Sequence, residues 1–366
     1  MKVLQIITKG EAGGAQTHLL ELCRALPPEV ELTVVSGEAA GANILAPRLR
    51  ELGITYLHVP RMANSLSPWR QLRSIYEVWR LLRQQRPDLV HAHSAIAGVT
   101  ARIAGTLAGI PVVYTVHGFG FKPQAPRLQR LAAGVVEWLL ARLTAHMICV
   151  SEHERALARR LPLPDDRISV IPNAIQDQPQ RANPAAEPLR VITVARCAAP
   201  KRHDILLQAL ALVAARRGQE VPATLVGGGP LLPALQRQAL ALGLRSVHFT
   251  GDVDNVPELL AGHSVFVLIS DHEGLPISVI EALRSGLPVL GSDLPGMREL
   301  IDDGQQGWLY PNRAEPFAAA LLKLAEHPGE RARMGRAARQ RYEQRCAPRG
   351  MAQAVLAVYG QILHHG

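Results

Sequence analysis

Cysteine and aromatic side chains are scarce in these 366 residues, and no apolar run is long. The four cysteines, Cys23, Cys149, Cys197 and Cys346, lie far apart. No two sit at metal-ligand spacing and nothing suggests a disulfide framework, so a reducing cytoplasm is the expected compartment. Aromatics make up only 4% of the chain, and no nucleic-acid-binding motif occurs. A nucleic-acid partner is therefore not expected, although the net charge is +9. No segment is long and uncharged enough to span a bilayer. The nearest candidate, Leu131 to Val150, contains Glu137, Arg142 and His146. No secretory leader is expected either, since Met1-Lys2 runs directly into a strand-like VLQIIT.

What is present points to two domains of ordinary core size, since 48% of the residues are hydrophobic. Charge is uneven. Through Asn183 there are 21 Lys+Arg against 14 Asp+Glu, and the remainder holds 19 against 17. The N-terminal half thus carries most of the positive excess, which suits an anionic membrane surface or an anionic acceptor. Pro68 to Arg86 reads as a basic amphipathic helix with Leu72, Ile75, Tyr76, Trp79 and Leu82 on one face. The plain expectation packs that face on a sheet and leaves the arginines in solvent; the sharper one is contact with a membrane surface.

Strand-like and helical stretches alternate along the whole chain. Val3 to Thr8, Glu31 to Ser36, Ile54 to Val59, Leu89 to His93, Val112 to Val116 and Met147 to Ser151 read as strands, and the βαβα rhythm argues for a doubly wound parallel sheet. Gln176 to Pro188, rich in Pro, Gln, Ala and Asn, reads as a linker. The alternation then restarts at Leu189. The last segment, Arg349 to His364, is apolar at helical spacing.

One stretch carries the most chemistry. Ser264 to Leu294 reads strand, loop, helix, strand, with the loop Asp271-His272-Glu273-Gly274 and the helix entered through Leu275-Pro276. Seven residues separate Glu273 from Glu281. Backbone amides at Gly274, Leu275 and Ile277 lie where a helix N-terminus gathers positive partial charge. The loop also follows the carboxyl end of a parallel strand, the usual ligand position in open α/β sheets. On spacing alone the two glutamates could equally be solvated surface groups.

The run EGLPISVIEALRSGLPV, with the downstream GMREL, resembles the Glu-x7-Glu motif of the retaining GT-B glycosyltransferases of family 4 (group 1). Other stretches are similar to that family. They are the glycine turn at Gly13-Gly14 ahead of a helix with Thr17 and His18, His117 at a strand end, Arg196 and Lys201 on a strand-to-helix turn, and Gly227-Gly228-Gly229-Pro230. Two departures occur: Ala195 and Ala174 stand where the family commonly has glycine. The resemblance implies two Rossmann-like domains facing across a cleft. These are residues 1–180, with 348–366 returning as a crossover helix, and 188–345. It implies that Glu281 holds the ribose of a nucleotide-sugar donor, that Glu273 and His117 lie near the transferred sugar, and that Arg196 and Lys201 hold the diphosphate. It places Gly13, Gly14, Gly228, Val253, Gly274, Leu275, Pro276 and Ile277 along the donor. His91 and His93 are expected to be structural or supporting, and the Pro123 and Pro126 region to face the acceptor.

Asp252-Val253-Asp254 looks like the metal-binding Asp-x-Asp of another transferase fold, but in this context it is expected to border the nucleotide base. No metal and no cofactor beyond the donor, a UDP-sugar by default, is implied. The acceptor would be a glycan or lipid-linked chain of a surface polysaccharide, lipopolysaccharide or glycolipid, reached from the cytoplasm or from the inner membrane face. A nucleotide-sugar epimerase of similar fold and a non-catalytic nucleotide-sugar-binding protein are the competing expectations. A dinucleotide dehydrogenase is excluded because Gly10 to Ala15 is not GxGxxG.

Overall fold

The computed structural model describes residues 1–37, 43–62, 67–121 and 127–364, without the side chain of Gln129. Pro123 and Pro126 lie outside the described residues. The chain divides into two compact units, Met1–Asn173 with Pro348–Gly366, and Ala174–Ala347.

The first unit alternates β1 (Lys2–Ile7), α1 (Gly14–Ala25), β2 (Glu31–Ser36), α2 (Leu45–Glu51), β3 (Thr55–His58), α3 (Pro68–Gln85), β4 (Leu89–His93), α4 (Ala95–Ala108), β5 (Val112–Val116), α5 (Arg127–Ala141), β6 (His146–Cys149), α6 (Glu152–Ala158) and β7 (Ile168–Val170). Its seven parallel strands are ordered β3-β2-β1-β4-β5-β6-β7. Strands β4, β5 and β6 are buried throughout, as expected where helices cover both faces of a parallel sheet. The order reverses between β1 and β4, so the loops after those strands diverge and open a crevice at their carboxyl ends.

The amphipathic reading of α3 holds only in part. Val78 and Leu82 are buried, and Ile75 and Trp79 pack on the same core. Leu72 and Tyr76, placed on that face by spacing, are turned outward and stay more than half exposed. A core-facing stripe needs neighbours along its whole width, and α4 covers only part of it.

The second unit holds β8 (Val191–Val194), α7 (His203–Arg217), β9 (Ala223–Val226), α8 (Leu232–Ala241), β10 (Val247–Gly251), α9 (Val256–Ala261), β11 (Val265–Leu268), α10 (Ile277–Ser285), β12 (Val289–Ser292), α11 (Pro295–Arg298), β13 (Gly307–Tyr310), α12 (Ala314–Glu326) and α13 (Pro328–Arg345). Its six parallel strands are ordered β10-β9-β8-β11-β12-β13, so β8 and β11 flank the reversal. The stretch 176–188 is no loose connector. Ala182 N donates to Ser285 O at 2.8 Å, and fully buried Arg331 donates to the carbonyls of Pro184, Ala185 and Ala186. A buried guanidinium needs most of its donors satisfied, and here backbone carbonyls satisfy them. The terminal helix α14 (Pro348–His364) belongs to the first unit and packs on α1.

Candidate active site

In the second unit the sequence-selected residues gather at the β8/β11 reversal. Arg196 to Lys201 follows β8, and Ser270 to Pro276 follows β11. The two turns are stitched together: Lys201 and Ser270 form an antiparallel bridge, Arg202 N donates to Ile269 O at 2.9 Å, and Asp271 N donates to Pro200 O at 3.0 Å. Lys201 Nζ reaches Glu273 Oε1 at 2.5 Å, with both side chains mostly shielded from water. Arg196 stays exposed while its carbonyl lies 3.1 Å from His203 Nε2. One fixed ammonium and one exposed guanidinium thus share a short turn, a combination suited to a diphosphate.

The Glu273 loop leads into α10. Pro276 is the residue before the first helical position, Ile277, so proline costs no intrahelical bond there. Gly274, Leu275, Pro276 and Ile277 are buried, and Glu281 is half-buried further along the helix. Gly296 holds this loop by close approach: a Cβ on it would come within 1.9 Å of Gly274 O and 2.8 Å of Glu273 O. Beyond the loop, Ser270 N donates to Ser292 Oγ at 2.8 Å, and Asn312 Nδ2 donates to Ser270 O at 3.0 Å.

The glycine turn after β9 interlocks with the Arg196 turn. Cys197 N donates to Gly228 O and Leu231 N to Cys197 O, both at 2.8 Å. Gly229 has φ +144, and a Cβ there would lie 2.6 Å from Cys197 O. Gly228 N donates to Asp252 Oδ1 at 2.8 Å, which brings the Asp252-Val253 turn beside Gly228. The first carboxylate of the Asp-x-Asp pattern is therefore engaged in holding backbone.

In the first unit, Gly13 precedes α1 in extended conformation, and Gly14 has open space where a Cβ would stand. His117 follows β5 within a group the sequence reading did not assemble. His18, His93 and His117 bring ring nitrogens within 4.8 Å of one another, among the described residues the one such group. A zinc ion with Zn–N of about 2.1 Å draws its nitrogens to roughly 3.4 Å, so the trio would have to close up to hold one. A hydrogen-bond chain supports it. Gln5 Nε2 donates to Tyr359 Oη at 3.0 Å, and Gln5 Oε1 lies 2.8 Å from His93 Nε2. His93 Nδ1 then faces His117 Nε2 at 3.4 Å. His91 sits between Tyr359 Oη (2.6 Å) and Thr115 Oγ1 (2.7 Å). With Gln5 oriented this way, His93 carries its proton on Nε2 and offers a lone pair to His117.

Burial pushes the ring of His18 down to about 4, against a weaker opposite pull from Asn173. His91, His93 and His117 are held well below the usual histidine range, chiefly by burial and then by their histidine neighbours. The cluster is neutral at neutral pH. The signal for it was present: Gln5 is polar in an otherwise apolar strand, it pairs in register with His91, and His91 and His93 share a strand face.

Comparison with known proteins follows the same division. The family model Glycosyltransferase Family 4 matches residues 12–178, and Glycosyl transferases group 1 matches residues 174–341. The chain is 27% identical over 320 residues to the O-antigen biosynthesis glycosyltransferase WbnH of Escherichia coli, covering 87% of this chain and 88% of that one. It is 26% identical over 294 residues to the UDP-Gal:alpha-D-GlcNAc-diphosphoundecaprenol alpha-1,3-galactosyltransferase of the same organism, covering 73% and 74%. Among solved structures, Anabaena Alr3699/HepE in complex with UDP-glucose superimposes with TM-score 0.84 at 23% identity, over 99% of this chain and all of that one. That likeness establishes the GT-B fold.

Proposed function

The chain is a GT-B glycosyltransferase of group 1 with an N-terminal half of the family 4 kind, and we propose that it moves a sugar from a UDP-sugar to a glycan or lipid-linked acceptor with retention of anomeric configuration. The product would enter a surface polysaccharide or glycolipid, working at the inner face of the membrane. The O-antigen and diphosphoundecaprenol relatives support this acceptor class, and the UDP-glucose complex of the Anabaena neighbour supports the donor.

The carrying observation is the pair of turns after β8 and β11, tied backbone to backbone, which set Lys201, Arg196, Glu273 and the start of α10 at one sheet reversal. In the proposed reaction the bond between the anomeric carbon and the diphosphate oxygen weakens first. Negative charge then gathers on the diphosphate. Arg196, Lys201 and the α10 amides meet it as fixed charges and dipoles that need no reorganisation. Glu281 holds the ribose hydroxyls. Glu273 orients the transferred sugar, and His117, neutral in its buried setting, can accept a hydrogen bond from the incoming hydroxyl, whose proton passes to the departing diphosphate oxygen as the new bond to the anomeric carbon forms. Gly14, open where a Cβ would stand, leaves room for a close approach of the donor, and Gly13, Gly228 and Val253 would be its other neighbours. The reading requires no metal.

A thermal-shift screen against UDP, GDP, ADP and their sugars tests it. A ligand that binds only the native state raises the melting temperature by mass action. Stabilisation by the UDP class, lost in Arg196→Ala, is expected, together with an α-configured product from an α-linked donor. Stabilisation by no nucleotide would overturn the reading. Release of altered free sugar without acceptor would point to an epimerase.

A further inference from the structure

Helix α5 is amphipathic the wrong way round for a soluble surface. Its inner side is mostly small or ionic: Glu137 and Ala141 are buried, Ala133 and Gly134 are half-buried, and Leu140 is the one large apolar residue turned inward. Its other large apolar residues face outward. Leu128 is 82% exposed, Leu131 68% and Leu139 55%, with Val135 and Trp138 beside them. A surface helix ordinarily buries its largest apolar side chains, and a contiguous exposed set of this size marks an interaction surface.

The charge pattern identifies what it meets. The helix has one acid, Glu137, and that carboxylate is turned inward onto Arg102, at 2.8 and 3.2 Å, both residues buried. Its other charges are Arg127 and Arg130, and Arg142 follows its last residue. Arg127 and Arg130, with Arg160 from the turn after α6, rim an open groove of about 710 Å³ floored by Phe121, Leu131 and Trp138. Arg142 lies over the Trp138 ring at 4.3 Å, an aromatic-cation pair suited to a headgroup region. The neighbouring helices of that sheet face continue the pattern. α4 packs against both α3 and α5, and α3 exposes Trp69, Leu72 and Tyr76 among Arg70, Arg73, Arg80 and Arg83.

We propose that the outward face of α5, with its arginine-rimmed groove, is the surface by which this protein docks on an anionic lipid bilayer. The apolar side chains enter the acyl boundary and the arginines meet lipid phosphates. The inference rests on the reading of the protein as a transferase for lipid-linked acceptors, and it moves the membrane contact from α3, the helix singled out by sequence, to α5. Buried Arg102–Glu137 is what makes the face possible: it fastens the helix from inside and removes its only negative charge from the lipid side.

Co-sedimentation of the full chain with phosphatidylcholine vesicles, and with vesicles containing phosphatidylglycerol, tests this. Binding to the anionic vesicles alone is expected. Leu131→Asp and Leu139→Asp lie on an exposed face and should fold normally, yet lower the partition constant at least tenfold. Arg127→Gln and Arg142→Gln should each lower it about fivefold, the equivalent of about 1 kcal/mol per arginine at an anionic surface. The UDP-induced thermal shift stays unchanged in all four variants. Unaltered vesicle binding in Leu131→Asp would overturn the proposal. So would a concentration-dependent dimer that this substitution dissolves while lipid binding persists, since the face would then belong to a second copy. Absence of a UDP shift in the unaltered protein would sink the transferase reading alone.

Discussion

Lys201 Nζ stands 2.5 Å from Glu273 Oε1, at the joined ends of β8 and β11. The carboxylate and the ammonium are therefore one unit, and the diphosphate that Lys201 would hold must share it with Glu273. Removing one partner leaves the other as an uncompensated charge in a largely shielded place.

The pair predicts non-additive kinetics. Lys201→Ala exposes the donor diphosphate to an unpaired Glu273 carboxylate, so donor affinity and turnover should both fall. Lys201→Ala combined with Glu273→Gln removes that repulsion, and donor binding should recover by about tenfold over Lys201→Ala alone while turnover stays low. Isothermal titration with UDP on the two single variants and the double variant completes the cycle. Simple additivity would mean that the two side chains separate when the donor binds.

Glu281→Ala should act on binding. A carboxylate accepting from a ribose hydroxyl makes a charge-assisted bond of about 1.5–3 kcal/mol, so the dissociation constant for UDP should rise roughly ten- to a hundredfold. Nucleotide discrimination gives a sharper measure. The unaltered protein should bind UDP better than its deoxyribose analogues, and Glu281→Ala should bind them equally. A preserved preference would place the ribose elsewhere.

The parallel strands, their alternation with helices and the turns that follow β8 and β11 were legible because each depends on short-range pattern. Val265 to Leu268 is buried on both faces and reads so from composition. The His18, His93 and His117 group was not legible as a group, since α1, β4 and the loop after β5 meet only through sheet order. Tyr359 joins it from a helix more than 260 residues beyond His91. The outward stripe of α5 shows a different limit. Periodicity reveals that Leu128, Leu131, Val135 and Trp138 share a face but is silent on which way the face points. For α5 that was decided by Glu137, whose partner Arg102 lies on another helix. Likewise 176–188 has a linker's composition, yet its carbonyls and the Glu187 carboxylate are captured by Arg331, 144 to 147 residues away.

Tyr359→Phe tests the hydrogen-bond chain behind His117. The hydroxyl serves both Gln5 and His91, and its loss leaves two buried polar groups short of a partner, at a cost of about 2 kcal/mol. The chain that fixes the proton on His93 also loosens, so turnover should drop severalfold while UDP affinity, which would rest chiefly on Arg196, Lys201 and Glu281, changes little. Urea denaturation and a split of kcat from donor KM read the two effects separately. A loss of stability with turnover untouched would reduce the chain to a packing role.

The same cluster predicts how the protein responds to acid. The ring of His18 ionises at about 4 in the folded chain and near 6.5 when unfolded. Between those values the unfolded chain binds the proton and the native one does not, so stability rises with pH across that window and is lost as pH falls below 6.5. His18 alone would cost about 3 kcal/mol by pH 4, and His91, His93 and His117 shift in the same direction. Urea unfolding followed from pH 7.5 to 5 should show the midpoint falling steadily below pH 6.5. His18→Gln should flatten that slope, since an amide of similar reach takes up no proton. An unfolding midpoint independent of pH over this range would mean that the histidines take up protons in the native protein as they do in the unfolded chain. In that case His117 would keep its neutral, accepting form only above about pH 6.5.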